Sequence, residues 1–127
     1  MGELKLLQIN EVRLAGRLTK DPELKETKKG QAVCRIDLAV NRSYKDANGE
    51  WKEESCFIPV IVWQEKAVAC RDFLKKGSAI YVEGRLKQYS WETSEGAKRY
   101  RLEVDSRKVQ FLNKKEPLEY SVQPPPL

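Results

Sequence analysis

Six aromatic residues fall where strands or hairpin arms would hold them outward: Tyr44, Trp51, Phe57, Trp63, Tyr89 and Trp91. Basic residues are interleaved with them, at Arg13, Arg17, Arg35, Arg42, Lys45, Lys52, Lys76, Arg85 and Lys87. The chemistry open to this pairing is stacking and charge pairing rather than bond making. An aromatic face stacks on an unstacked nucleobase for about 1–3 kcal/mol, and cationic side chains follow a phosphate backbone. Neither contact reads the donors and acceptors of a base edge, so such a surface tolerates sequence. Each residue also has a plainer reading. Aromatics on strands commonly fill cores or interfaces, and a lone lysine is commonly just solvated. Trp51 directly follows Asn48-Gly49-Glu50, where it would serve equally to cap a hairpin. Trp51 is therefore a secondary stacking candidate, and Tyr89 is placed beside it as another.

The composition narrows the alternatives. The chain has 127 residues, 34% of them charged, with a net charge of +5 and no histidine. A missing histidine removes the usual general base and the triads built on it. Cys34, Cys56 and Cys70 are far apart and form no CxxC pair. A structural zinc site needs about four thiolate or imidazole ligands, so no metal and no cofactor is expected, and the cysteines read as reduced apolar residues. The positive charge makes anionic partners plausible, nucleic acid before a membrane surface. No apolar run reaches the roughly 20 residues of a membrane helix. The opening "MGELKLLQIN" lacks the basic start and cleavage site of a secretory signal. A cytoplasmic, nucleoid-associated location is expected.

The elements that must position the aromatics are mostly strands. "NEVRLAGRL" alternates, with Val12, Leu14 and Leu18 on one face and Arg13, Ala15 and Arg17 on the other. Gly16 inside it predicts a bulge or sharp bend. "KDPEL" reads as a turn and "TKKGQ" as a loop. "AVCRIDLAVNRSY" is the next strand, with Cys34, Ile36, Leu38 and Val40 inward. Asn48-Gly49 predicts a hairpin that returns through "FIPVIVW". There Ile58, Val60 and Val62 face the core, while Phe57, Pro59, Ile61 and Trp63 share the other face. Phe57 and Trp63 then stand roughly 20 Å apart along the strand, at about 3.3 Å per residue. Pro59 lacks an N–H for the ladder, which predicts an edge position or a bulge.

"QEKAVACRDFLKKG" is the one convincing helix, with Ala67, Cys70, Phe73 and Leu74 at helical spacing and Gly77 as its left-handed terminator. "SAIYVEGRLKQYSW" is a long strand with Ile80, Val82 and Leu86 inward and Gly84 able to shift its register. "RYRLEV" and a last short strand, "KVQFL", follow. The fold expected is all-β: a five-stranded OB-type Greek-key barrel, one short helix between its third and fourth strands, and long projecting hairpins. A β-sandwich is the competing fold, to which a single helix is less natural. Residues 1–112 form the expected domain and 113–127 a short Pro-rich tail.

The chain resembles the bacterial single-stranded DNA-binding proteins of the homotetrameric OB-fold type. The resemblance runs over about residues 10–112, through "NEVRLAGRLTKDPEL", "GQAVCRIDLAVNRSYKD", "WKEESCFIPVIVW", "FLKKGSAIYVEGRLKQYSW" and "KRYRLEV". It implies sequence-tolerant binding and protection of single-stranded DNA in replication, recombination and repair. By position, it implies base stacking by Tyr44, Phe57, Trp63 and Trp91. Phosphate contacts are expected from Arg13, Arg17, Arg35, Lys45, Lys52, Lys76, Arg85 and Lys87. The resemblance implies a homo-oligomer, a tetramer before a dimer, although at a subunit interface where the family often has a histidine this chain has the apolar Ile58. The family's acidic tip, which recruits replication proteins, has no counterpart in "VQPPPL", so recruitment by that route is not expected.

Two further readings differ in kind. One is a dimeric primosome-type accessory protein of the same fold, separable by stoichiometry. The other is an OB scaffold that binds proteins, whose aromatics would already be protected without DNA. RNA is a secondary candidate partner: stacking barely distinguishes the two sugars, and the sequence identifies no contact to a 2′-hydroxyl that would tell them apart. An enzyme has no motif to support it.

Overall fold

The computed structural model describes residues 4–112. Its elements in chain order are β1 (Val12–Leu18), β2 (Glu23–Glu26), β3 (Ala32–Lys45), β4 (Trp51–Trp63), α1 (Gln64–Phe73), β5 (Ala79–Glu92) and β6 (Lys98–Phe111). The strands run in the order β1-β5-β6-β4-β3-β2, and β1 also pairs with β3. That second pairing closes β1, β5, β6, β4 and β3 into a five-stranded barrel and leaves β2 attached to β3. The expected barrel and its helix position are both present. The tail expected over 113–127 lies outside the described residues. No helix among those described is long and apolar enough to cross a membrane.

Alternation determines the core. Cys34, Ile36 and Leu38 of β3, Val60 and Val62 of β4, and Ile80 and Val82 of β5 are buried together with Val104 and Val109 of β6. Ala67, Cys70 and Leu74 complete this cluster from α1 and its C-terminal end, so the helix packs over β3, β2 and β4. The helix ends sooner than its sequence suggests. Leu74 takes an extended conformation and buries its side chain, so the chain leaves the helix there. Gly77 is left-handed, with φ of +91°, but it serves the turn in which Ser78 N–H donates to the Lys75 carbonyl. Phe73, expected on the packed face, is exposed.

Three hairpin loops share one construction. In Thr27–Gln31, Asp46–Glu50 and Thr93–Ala97, a left-handed glycine (Gly30, Gly49, Gly96) donates its N–H to the carbonyl three residues back. The first residue's side-chain oxygen accepts a backbone N–H from the end of each loop. This is a type I turn closed by a left-handed glycine. The loops carry the β3–β4 and β5–β6 arms well beyond the barrel, to the pairs Lys45–Trp51 and Glu92–Lys98.

Several local expectations are corrected, and one, the edge position of Pro59, is met. Glu23–Glu26 is a short strand beside β3, overlapping "KDPEL", which reads as a turn; with only Leu24 apolar, it carries too little alternation to announce itself. "RYRLEV" and "KVQFL" belong to one strand, β6, broken only by a bulge opposite Glu83 and Gly84. Gly16 makes no bulge. It lies at the barrel seam, where a Cβ would run into the Ala39 carbonyl oxygen of β3. Pro59 pairs with Asp37 of β3, while β4 meets β6 only from Val60 onward, so its missing N–H faces an open edge. Leu86 has the inward parity expected of it, opposite the buried Val104, yet it is 43% exposed because the arm has already left the barrel.

Candidate nucleic-acid interface

The pairings put three of the four leading aromatics on one surface. On β4, Phe57 and Trp63 have the parity opposite to the buried Val60 and Val62. On β5, Trp91 shares the parity of Arg85, Lys87 and Tyr89, opposite to Ile80 and Val82. β6 lies between them, pairing β5 on one side and β4 on the other, and its Arg101 and Asp105 lie opposite Tyr89 and Arg85. Phe57, Trp63 and Trp91 therefore occupy the outer face of adjacent strands. Tyr44 does not. Its parity is that of Ile36 and Leu38, and it sits beyond the barrel end opposite Lys52. Trp51, opposite Lys45, shares the Phe57 face at the tip of the arm.

These aromatics are held in different ways. Phe57 is 68% exposed and Trp51 69%, and the Lys45 ammonium lies 5.4 Å from the Trp51 ring centre. Beside Phe57 runs an open groove of about 430 Å³ bordered by Arg35, Asp37, Ile58 and Pro59. Ile58 itself is partly buried against the core. Tyr44 carries the Arg42 guanidinium 4.8 Å over its ring, and Arg42 is anchored to Glu54 at 2.7 Å. Trp63 is partly buried, and its indole Nε1 donates to Asp105 Oδ1 at 2.9 Å. It also stands at the N-cap of α1. The next residue, Gln64, is left-handed at φ +58°, an uncommon conformation for a residue with a Cβ. That sharp turn swings the chain from strand to helix directly after the indole.

On the β5–β6 arm, the Tyr89 and Trp91 rings lie 5.8 Å apart with an interplanar angle of 31°. The Arg101 guanidinium sits 4.8 Å from the Tyr89 centre and 5.5 Å from that of Trp91. Its Nε donates to Glu103 at 2.9 Å, and Glu103 is buried. Arg101 is absent from the residues singled out by sequence. Its signal was cross-strand: once the Thr93–Ala97 loop is recognised, counting back from it sets Arg101 opposite Tyr89. A groove of about 700 Å³ flanks Trp91, between Gln88, Ser90, Arg99 and Tyr100.

The expected cations divide into two groups. Arg13, Arg35, Lys52 and Arg85 have local carboxylates: Glu11 at 4.0 Å, Asp37 at 3.2 Å, Asp46 at 3.8 Å and Asp105 at 3.2 Å respectively. Lys45, Lys76 and Lys87 form no ion pair among the described residues. Arg17 donates to the Gly77 carbonyl at 2.9 Å, while the backbone N–H of Lys76 is held by Asp21 at 2.8 Å. Local pairing weakens the field of the first group without removing its donors, since exposed pairs of this kind hold weakly. Glu83, also on this outer face, has its carboxyl held below the usual range by hydrogen bonds from Tyr81 and Arg107.

The profile of the single-strand binding protein family matches residues 9–112. Single-stranded DNA-binding protein 2 of Chlorobaculum tepidum is 40% identical over 110 residues, covering 86% of this chain and 74% of that protein. Single-stranded DNA-binding protein A of Bacillus subtilis is 44% identical over 107 residues, covering 84% of this chain and 61% of that one. Among solved structures, a Plasmodium falciparum SSB in complex with ssDNA superposes with a TM-score of 0.74 at 27% identity, covering 87% of this chain and all of that one. A deletion mutant of the Thermus aquaticus single-stranded DNA binding protein gives 0.73 at 31% identity, with 83% and 51% coverage. With a matching profile over most of its length and relatives at this identity, the chain belongs to the single-strand binding protein family.

Proposed function

We infer that this chain binds single-stranded DNA with little regard to base sequence, in replication, recombination and repair. The observation that carries this is the common outer face of Phe57, Trp63 and Trp91 across β4, β6 and β5, interleaved with Arg85, Lys87 and Arg101. Aromatic platforms on adjacent strands accept successive bases, and the cations between them accompany the backbone. Family membership and a structural neighbour bound to ssDNA support the same reading.

In this reading Phe57, Trp63 and Trp91 are stacking platforms, and Tyr44 extends the path on the other side of the β3–β4 arm. Lys45, Lys76 and Lys87 are the readiest phosphate ligands; Arg13, Arg17, Arg35, Lys52 and Arg85 join once DNA displaces their present partners. Trp51 and Tyr89 stack secondarily. Residues 1–112 act as the binding domain. The chain assembles as a homo-oligomer, a tetramer before a dimer, with Ile58 at a subunit contact. It works in the cytoplasm on the nucleoid, performs no catalysis, and binds RNA more weakly than DNA.

Competition between a dT oligomer and a duplex of equal length tests this reading. A labelled dT strand should be displaced by unlabelled dT and not by duplex at the same concentration. Equal displacement by both would overturn it.

A further inference from the structure

A recess of about 210 Å³ opens beside Trp63, between the start of α1 and the bulged part of β6. Trp63 lines one side, and three positively charged residues, Lys66, Arg107 and Lys108, line the others. Like charges gathered at one recess repel one another unless an anion sits among them. Lys66 and Lys108 form no ion pair with a described residue, while Arg107 is paired with Glu83 at 2.9 Å.

The backbone explains how two of these cations come together. Arg107 and Lys108 are consecutive, and a regular strand would turn them to opposite faces. Here Lys108 lies opposite Glu83 and Ser106 lies opposite Gly84, so Arg107 is an extra residue in the ladder. The bulge lets both cations border the same recess, which is how a bulge re-aims a side chain. Gly84 permits this close passage: a Cβ there would strike the Asp105 carbonyl oxygen. Ser106 fixes the bulge to β4 by donating from Oγ to the Ile61 carbonyl at 2.8 Å.

We propose that this recess binds a backbone phosphate of the single strand, beside the nucleotide whose base stacks on Trp63, with Lys66 and Lys108 as its ligands. The proposal rests on the reading of the outer face as a single-stranded DNA path, and it adds a phosphate station that none of the expected cations supplies. Trp63 and the two lysines would then hold the base and the backbone of one nucleotide from adjoining surfaces.

The test is the salt dependence of dT-oligomer binding for wild type, K66Q/K108Q and K28Q/K29Q. Both double variants remove two exposed lysine charges, but Lys28 and Lys29 lie in the Thr27–Gln31 loop. Each phosphate contact on a single strand contributes about 0.7 to the slope of log K against log salt. With one phosphate held in the recess, K66Q/K108Q should therefore lose about 0.7 in slope, and K28Q/K29Q clearly less. Equal losses in the two variants would reduce the effect to overall charge and overturn the proposal. An unchanged slope in folded K66Q/K108Q would overturn it too, as would be found if the recess served free phosphate instead. A wild type that fails to bind dT would overturn the functional reading itself, and this proposal with it.

Discussion

The Trp63 indole is tied to Asp105: Nε1 donates to Oδ1 at 2.9 Å, while Arg85 holds Oδ2 of the same carboxylate at 3.2 Å. One acidic residue on β6 thus orients an aromatic from β4 and a cation from β5. A platform whose ring is already fixed loses little side-chain freedom when a base stacks on it, which lowers the cost of binding.

Asp105→Ala should release both partners. In a W51F/W91F background, where Trp63 is the sole indole, its fluorescence anisotropy should fall in the free protein. Asp105→Asn, which keeps an acceptor, should restore most of it. Anisotropy unchanged by Asp105→Ala would mean that packing alone orients the ring.

Trp91, Tyr89 and Arg101 form a second unit, with the guanidinium within 5.5 Å of both rings. Trp91→Ala should weaken binding to a long dT oligomer by about 1–3 kcal/mol. Arg101→Ala should weaken it as well, and the double variant should lose less than the sum, because contacting residues couple. Strict additivity in equilibrium titrations would separate the two residues.

How much of this was legible in the sequence differs from residue to residue. The alternation of Cys34, Ile36 and Leu38, and of Val60 and Val62, announced the core directly, because a half-buried strand has only two faces. Asn48-Gly49 and the turn around Gly96 announced two of the three hairpins, while the Thr27–Gln31 loop did not announce the short β2 before it. Leu86 misled for a definite reason: alternation reports which face a residue is on, and not where along the strand the barrel ends. Arg101 was hidden because its partners, Tyr89 and Trp91, lie on another strand. The closeness of Trp63 to Asp105 depends on a parallel pairing of β4 with β6 across the intervening helix and β5, and no local pattern encodes it.

Gly16 carries a prediction for stability. A Cβ there would meet the Ala39 carbonyl oxygen, a backbone atom with little room to yield. Gly16→Ala should destabilise by about 1–3 kcal/mol, as overpacking does, and loosen the β1–β3 seam. Urea unfolding measures the first effect. Faster hydrogen exchange at the Thr19 amide, which bonds to the Asp37 carbonyl of β3, measures the second. A variant as stable as wild type would show that the seam adapts.

Burial raises the Cys70 thiol from 9.0 to about 12 and raises Cys34 as well, whereas Cys56 is exposed. Above pH 9 the unfolded chain releases these protons and the folded chain keeps them. The unfolded state then binds fewer protons, so stability falls as pH rises from about 9 towards 12. Cys70→Ala should flatten the decline of the urea midpoint relative to wild type over that range. In native protein at neutral pH a thiol reagent should label Cys56 alone, since the other two are buried. Parallel declines, or rapid labelling of all three, would contradict this account.

The most direct test of the central claim is intrinsic tryptophan fluorescence during titration with poly-dT, at low and at high salt. Strong quenching, with an affinity that falls steeply as salt rises, is the predicted result: bases then stack on the indoles while phosphates meet the cations between them. A folded protein whose emission does not change at either salt would contradict it, because Trp63 and Trp91 would then lie outside any DNA path.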